Sequence, residues 1–335
     1  MRSRISQSGP IPYREVIELA LYDPDHGFYS SGGRAGRRGD FLTSPEVGPL
    51  FGALVAEAID REWERQGQPS TFTVVDAGAG PGTLARSVEV AEPRCRDALD
   101  YVCVEVSDGQ RQSHPGWVAS RAELPPGPIT GLVLANELLD NLPFTPLEWI
   151  DDRWVPAAVA LDGQHLVEVY EGANEGVADP VPELFEDGPG RVVYQRAAIE
   201  WLERVLHRVV ARGRVIVIDY CRSRSTDVEI RTYAAHGRGA DPLSALGSQD
   251  ITVDVDLGAL ERATRAADVV STQSEWLAGL GLDALVEQGR TAWSEGARLG
   301  DLEALRGRSR VREAEALCDP TGLGGFTVAE WLIDP

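Results

Sequence analysis

From residue 71 onward, short unbroken apolar runs alternate with longer stretches whose apolar positions recur every three or four residues. TFTVVDAG (71–78), LDYVCVEVS (99–107), PITGLVLANE (128–137) and RVIVIDY (214–220) read as strands. Between them GTLARSVEVA (82–91) and YQRAAIEWLERVLHRVVARG (194–213) carry helical spacing. Strands without apolar–polar alternation, separated by helices, imply a parallel sheet covered on both faces, an α/β fold. GGFTVAEWLI (324–333) reads as a final strand closing the edge of that sheet.

Other segments break this rhythm. YREVIELALYD (13–23) has a helical apolar face, followed by a glycine-rich loop to Glu46, long enough to be functional. SPEVGPLFGALVAEAIDREWERQG (44–67) reads as one helix, with Ser44 as N-cap, Pro45 in the first helical position and Gly67 as its stop. Between Pro146 and Gly172, Asp151-Asp152 and Asp162-Gly163 punctuate short strands, a β-meander inserted into the core. The acidic stretch 171–190 reads as a connecting loop. The expected division is a cap and lid over 1–69 and a core over 70–335, with an insertion at 144–190 and a helical elaboration at 256–318.

Charge narrows the chemistry. The chain of 335 residues holds 53 acids and 32 bases, a formal net charge of −21, and every one of those bases is Arg. Such a field disfavours nucleic acid, which needs a basic footprint, and favours a small cationic substrate or a basic protein segment. Four Cys without a C-x-x-C pair and five scattered His give no zinc-site spacing and fit reduced thiols. With no apolar h-region at the start and no run approaching a membrane span, a cytoplasmic protein without a membrane partner is expected. A homodimer is left open.

The glycine turn after the first strand carries the strongest signal. Gly78, Gly80 and Gly82 give G-x-G-x-G rather than the dinucleotide G-x-G-x-x-G, and a P-loop would need a Lys that the chain lacks. Asp76 stands at the strand's lip, where a carboxylate repels a pyrophosphate and welcomes an ammonium group. S-adenosylmethionine carries an ammonium and a sulfonium and no phosphate, so the turn reads as a methyl-donor site. The competing reading is a turn that serves strand–helix packing alone. Glu105, at the end of the second strand, can accept both ribose hydroxyls of an adenosine. The next strand ends in Asn136-Glu137, with Asp140 three residues on; read as helical, Glu137 and Asp140 share a face and clamp a cationic acceptor.

ALYDPDHGFYS, GDFLTSPE, DAGAGPGTL, VEVS, ANELLDNLPF, IDY, DITVDVD and TQSEWLAGLG occur in this order, and together they resemble the MidA-like methyltransferases over roughly residues 12 to 332. GDFLTSPE and ANELLDNLP are specific to that family, whereas the glycine motif is generic. The resemblance implies a Rossmann-like class I methyltransferase sheet of seven mostly parallel strands, with S-adenosyl-L-methionine as cofactor. It also implies an N-terminal segment folding over the donor, which brings in Tyr29, Thr43 and Ser44. The family's mitochondrial members methylate an arginine of a respiratory complex I subunit. Three positions depart from its pattern: Asp76 stands for a Glu, Ser87 for a helix Asp, and Cys221 for the Gly after IDY. These bear on the acceptor more than on the donor.

The expected acceptor is therefore a guanidino nitrogen of arginine, free or in a protein. A guanidinium with pKa near 12.5–13.8 needs carboxylates to hold it and to take the proton after transfer. Glu137 is the first candidate, with Asp140 and Glu46 behind it; Tyr29 and Phe41 offer ring faces to a cation. The alternatives are an O- or carboxyl-methyltransferase, a nucleotide-dependent oxidoreductase, which Asp76 argues against, and a non-catalytic assembly factor that keeps the fold.

Overall fold

The computed structural model describes residues 1–335 except 31–42, 171–183, 186–187, 223–228, 235–236, 240, 298–300 and 335. Phe41, the middle of the expected lid and most of the acidic loop at 171–190 lie outside the described residues.

Seven strands build the main sheet: β1 (Phe72–Ala77), β2 (Leu99–Val104), β3 (Ala119–Arg121), β4 (Ile129–Asn136), β5 (Val210–Asp219), β6 (Val269–Thr272) and β7 (Thr327–Ile333). Their order is β6-β7-β5-β4-β1-β2-β3, and β7 alone runs against the rest. Successive residues of a strand point to opposite faces, so the unbroken apolar runs serve two layers. Leu132 and Leu134 of β4 pack with Phe51 and Leu54 of α2 (Pro49–Arg65) and with Leu84 and Val88 of α3 (Thr83–Ala91). Val133 and Ala135 face the other way, toward Ala198 and Leu202 of α4 (Arg196–Arg204). The chain leaves β1 toward β2 and β3 on one side and reaches β4 and β5 on the other. That reversal opens a crevice at the carboxyl ends of β1 and β4, where open α/β sheets bind ligands.

An N-terminal helix, α1 (Tyr13–Tyr22), buries Val16, Ile17 and Leu21 against Phe144, Val159, Ile251 and Val253. It thereby fastens the cap to the small antiparallel sheets. The inserted strands form two hairpins in two different sheets. Thr145–Ile150 and Arg153–Pro156 join Arg191–Tyr194, whereas Ala158–Asp162 and His165–Val169 join Ile11–Pro12. The division falls at Ala157, whose N–H bonds Pro146 and whose carbonyl accepts from Tyr13.

Three expectations are corrected. The last strand, β7, is not the edge: β6 pairs beyond it, so the supposed helical elaboration contributes a sheet strand. The helix expected over 194–213 ends at Arg204, passes through a π turn at Val205–Val209 and becomes β5. There β-branched residues and pairing with β4 override local helical spacing. The helix expected over 44–67 is two, Ser44–Val47 and α2, with Thr43 rather than Ser44 at the N-cap. Pro49 explains the break, because it lacks an N–H and disfavours helical backbone at Gly48. Among the described residues no helix is long and apolar enough to cross a membrane.

Candidate active site

A cavity of about 490 Å³ opens at the carboxyl ends of β1, β2 and β4, within the usual size of small-molecule sites. Its floor is the glycine turn. Gly78 and Gly80 line it with φ of 74° and 53°, left-handed values that favour glycine. A Cβ on Gly78 would lie 3.1 Å from Leu138 Cδ1, and one on Gly80 3.3 Å from Gln110 Oε1. The backbone must therefore come close to its neighbours here, as an approaching ligand would require.

Carboxylates ring this floor. Asp76, the penultimate residue of β1, is buried, and loss of hydration pushes its carboxyl up to about 7, helped by Glu105 and opposed by the Tyr101 hydroxyl donating at 3.2 Å. Glu105 follows β2; its Oε2 accepts from Gly80 N at 3.0 Å and its Oε1 from Ser107 N at 2.8 Å. Burial raises its pKa while those two backbone bonds hold it down.

Asn136 ends β4, with Nδ2 donating to Glu137 Oε1 at 3.0 Å and a buried Oδ1 that has no hydrogen-bond partner among the described residues. Glu137 sits in the left-handed region at φ 52°, its N–H bonded to Ile218 O at 2.8 Å. Its Oε1 also accepts from Ser44 N at 3.1 Å. Both bonds use the same oxygen, and among the described residues no hydrogen bond reaches Oε2. Burial, with Asp140 and Asp250 adding repulsion, pushes Glu137 up to about 8.

The cap supplies the remaining wall. Thr43 and Glu46 line the cavity, and Thr83 Oγ1 donates to Glu46 Oε1. Tyr29 lines it beside Tyr22, their rings stacked with centroids 5.6 Å apart. The Tyr29 hydroxyl donates to Asp250 and that of Tyr22 to the Asn141 carbonyl.

Nine expected residues thus meet in one cavity: Tyr29, Thr43, Glu46, Asp76, Gly78, Gly80, Glu105, Asn136 and Glu137. Three do not line it. Ser44 is wholly buried and donates its hydroxyl to Gln273, acting on the cavity only through its N–H to Glu137. Gly82 takes the N-cap place of α3, against His114 and Pro115. Asp140 turns away: it lies in a short 3₁₀ turn, Leu139–Asn141, and accepts from Thr252 Oγ1 at 2.7 Å. The expected clamp of Glu137 with Asp140 fails because left-handed Glu137 is not helical, so three residues' spacing does not put the two on one face.

Sequence reasoning missed Glu18, Tyr22, Gln110, Trp201 and Arg204 as lining residues. Trp201 and Arg204 lie on α4, where helical spacing does not separate a cavity rim from an ordinary outer face. Arg204 is the sole cation among the described lining residues. A crevice whose lining carboxylates outnumber this single Arg suits a positively charged ligand.

The family model for S-adenosyl-L-methionine-dependent methyltransferases matches residues 54–274. A mitochondrial protein arginine methyltransferase NDUFAF7 homolog of Drosophila melanogaster is 30% identical over 304 residues, 76% of this chain and 67% of that protein. Its Caenorhabditis elegans counterpart is 25% identical, over 84% of this chain and 75% of that one. A crystal structure of a Burkholderia thailandensis protein bound to S-adenosyl-homocysteine superposes with a TM-score of 0.79 at 26% identity, spanning 100% of this chain and 91% of that chain.

Proposed function

Because the chain belongs to this family of S-adenosyl-L-methionine-dependent methyltransferases, we propose that the acceptor it methylates is a guanidino nitrogen of arginine, free or within a protein. Its residues fit the donor. Asn136 Oδ1, buried and without a partner among the described residues, supports placing the donor's ammonium between it and Asp76. Glu105, already drawn into the cavity by two backbone N–H groups, is placed to take the ribose hydroxyls. When bound, the donor supplies an electrophilic methyl on a sulfonium.

Glu137 does the work on the acceptor side. Its Oε2 is left for a guanidinium in the cavity, while Ser44 N and Asn136 Nδ2 keep Oε1 in place. A carboxylate raised toward neutrality holds the cation and then accepts the proton the nitrogen must lose, with an affinity matched to working pH. Tyr22 and Tyr29 line the same cavity with stacked rings, whose faces favour a planar cation. Glu46 adds negative charge from the cap. The observation that carries this reading is the Glu137 carboxylate at the end of β4, bonded through Oε1 only among the described residues. The arginine methyltransferase names of two relatives support the same acceptor.

One feature favours a second reading, a carboxylate acceptor: Arg204 on the cavity rim matches an anion. An acceptor panel separates the two. Free arginine, arginine peptides and carboxylate peptides are incubated with methyl-labelled donor, and products are read by mass spectrometry. Label on guanidino nitrogen supports the proposal. Label confined to carboxylates, or to no arginine compound, contradicts it.

A further inference from the structure

We infer that Asp219, the last residue of β5, is a positioning residue for methyl transfer: it fixes the turn from Glu137 to Asp140 so that the Glu137 carboxylate stays on the cavity wall. The functional part of this rests on the reading of Glu137 given above. Asp219 is wholly buried and does not line the cavity. Its Oδ2 accepts from Leu139 N at 2.9 Å and from Asp140 N at 3.4 Å, and its Oδ1 accepts from Tyr220 N at 2.8 Å. The residue before it, Ile218, takes the N–H of Glu137 itself. The tip of β5 therefore receives three of the four backbone N–H groups from Glu137 to Asp140.

The turn needs that grip. Glu137 is held at φ 52°, a conformation that side-chain-bearing residues rarely adopt and that persists only where the surroundings impose it. A carboxylate suits the task because both of its oxygens accept, and here they serve two sides at once. An amide offers one acceptor oxygen and would leave one side facing a donor. The IDY motif thus acts on the reaction through Glu137 without touching a ligand.

The test uses the full chain with Asp219→Ala, Asp219→Asn, Glu137→Gln and the double variant Asp219→Ala/Glu137→Gln. Cooperative melting of each variant is checked first, and Asp219→Asn, which keeps one acceptor, carries the test if Asp219→Ala does not fold. Hydrogen exchange of the Leu139 and Asp140 amides should quicken by ~10-fold or more, since they lose the acceptor that protects them. Turnover of an arginine peptide should fall with S-adenosylhomocysteine affinity kept within ~2-fold, and in the Glu137→Gln background the Asp219 change should add less than ~2-fold, as coupled residues do. Unchanged exchange in the turn overturns the inference, and so does a loss that multiplies with that of Glu137→Gln. Should Glu137→Gln by itself keep full turnover, the acceptor reading falls, while the exchange result still decides whether Asp219 holds the turn.

Discussion

Glu137 Oε1 accepts the backbone N–H of Ser44 at 3.1 Å, a bond between residues 93 apart in sequence. It ties the end of β4 to the first turn of the cap's short helix, so the wall that carries the proposed base and the wall that carries Thr43 and Glu46 are one assembly. Ser44, expected from sequence to meet the donor, acts on the cavity through Glu137. A change on either wall is expected to be felt on the other.

Gly80→Val tests the floor. The residue sits at φ 53°, lines the cavity and donates its N–H to Glu105. A branched side chain there strains the left-handed backbone by about 1–2 kcal/mol and intrudes on the ligand's approach. Calorimetry should show S-adenosylhomocysteine affinity reduced by ~10-fold or more, a loss of at least about 1.4 kcal/mol, while the fold persists. Undiminished affinity would place the donor elsewhere.

Stability of the ligand-free protein should fall as pH rises from mildly acid to mildly alkaline. Burial lifts Asp140 to about 6, Asp76 and Asp250 to about 7 and Glu137 to about 8, against roughly 3.9 for Asp and 4.3 for Glu in unfolded chains. The folded state thus holds these protons more tightly. Their stabilising contribution is complete below the unfolded values and is lost as pH climbs through the folded ones. The melting temperature should decline between about pH 6 and 8.5, and Glu137→Gln should flatten that decline. A wild-type melting temperature that holds or rises across this window contradicts the protonated state of the cluster.

Glu313 should matter to folding without touching the cavity. It is buried on α5 (Leu302–Leu317), accepting Leu50 N at 2.9 Å through Oε2 and Ser309 Oγ at 2.8 Å through Oε1. Leu50 lies in the first turn of α2, just after the break at Gly48, so this carboxylate satisfies an N–H exposed by the break. Glu313→Ala leaves that donor buried and unpaired, at a cost of about 1–3 kcal/mol, and Glu313→Gln should cost less. Denaturant melts will check this; equal stability of all three proteins would mean the N–H finds another acceptor.

Much of this site was legible because its residues stand at strand ends. Asp76, Glu105 and Asn136-Glu137 each follow an unbroken apolar run, and a parallel sheet aligns such ends in one crevice. The glycine turn was legible because backbone conformation, rather than packing, selects its residues. What escaped depends on contacts distant in sequence. Tyr22 reaches the cavity only because α1 docks on the small sheets. The orientation of Asp140 is set by Thr252, 112 positions away. The strand at Val269–Thr272 is four residues long with both valines exposed, so it carries no apolar run for a strand assignment.

Turnover by Glu137→Gln tests the central claim most directly. The substitution keeps size and the ability to accept from Ser44 N, but removes the charge and the proton acceptor. With an arginine peptide as acceptor, methyl transfer should drop by ~10²-fold or more, on the scale of a lost electrostatic contact in a transition state. Donor affinity measured by calorimetry should stay within about twofold, because Asp76, Asn136 and Glu105 hold the donor. Full turnover by Glu137→Gln on arginine, with donor binding intact, would contradict the assignment of this carboxylate as the group that receives the guanidinium and its proton.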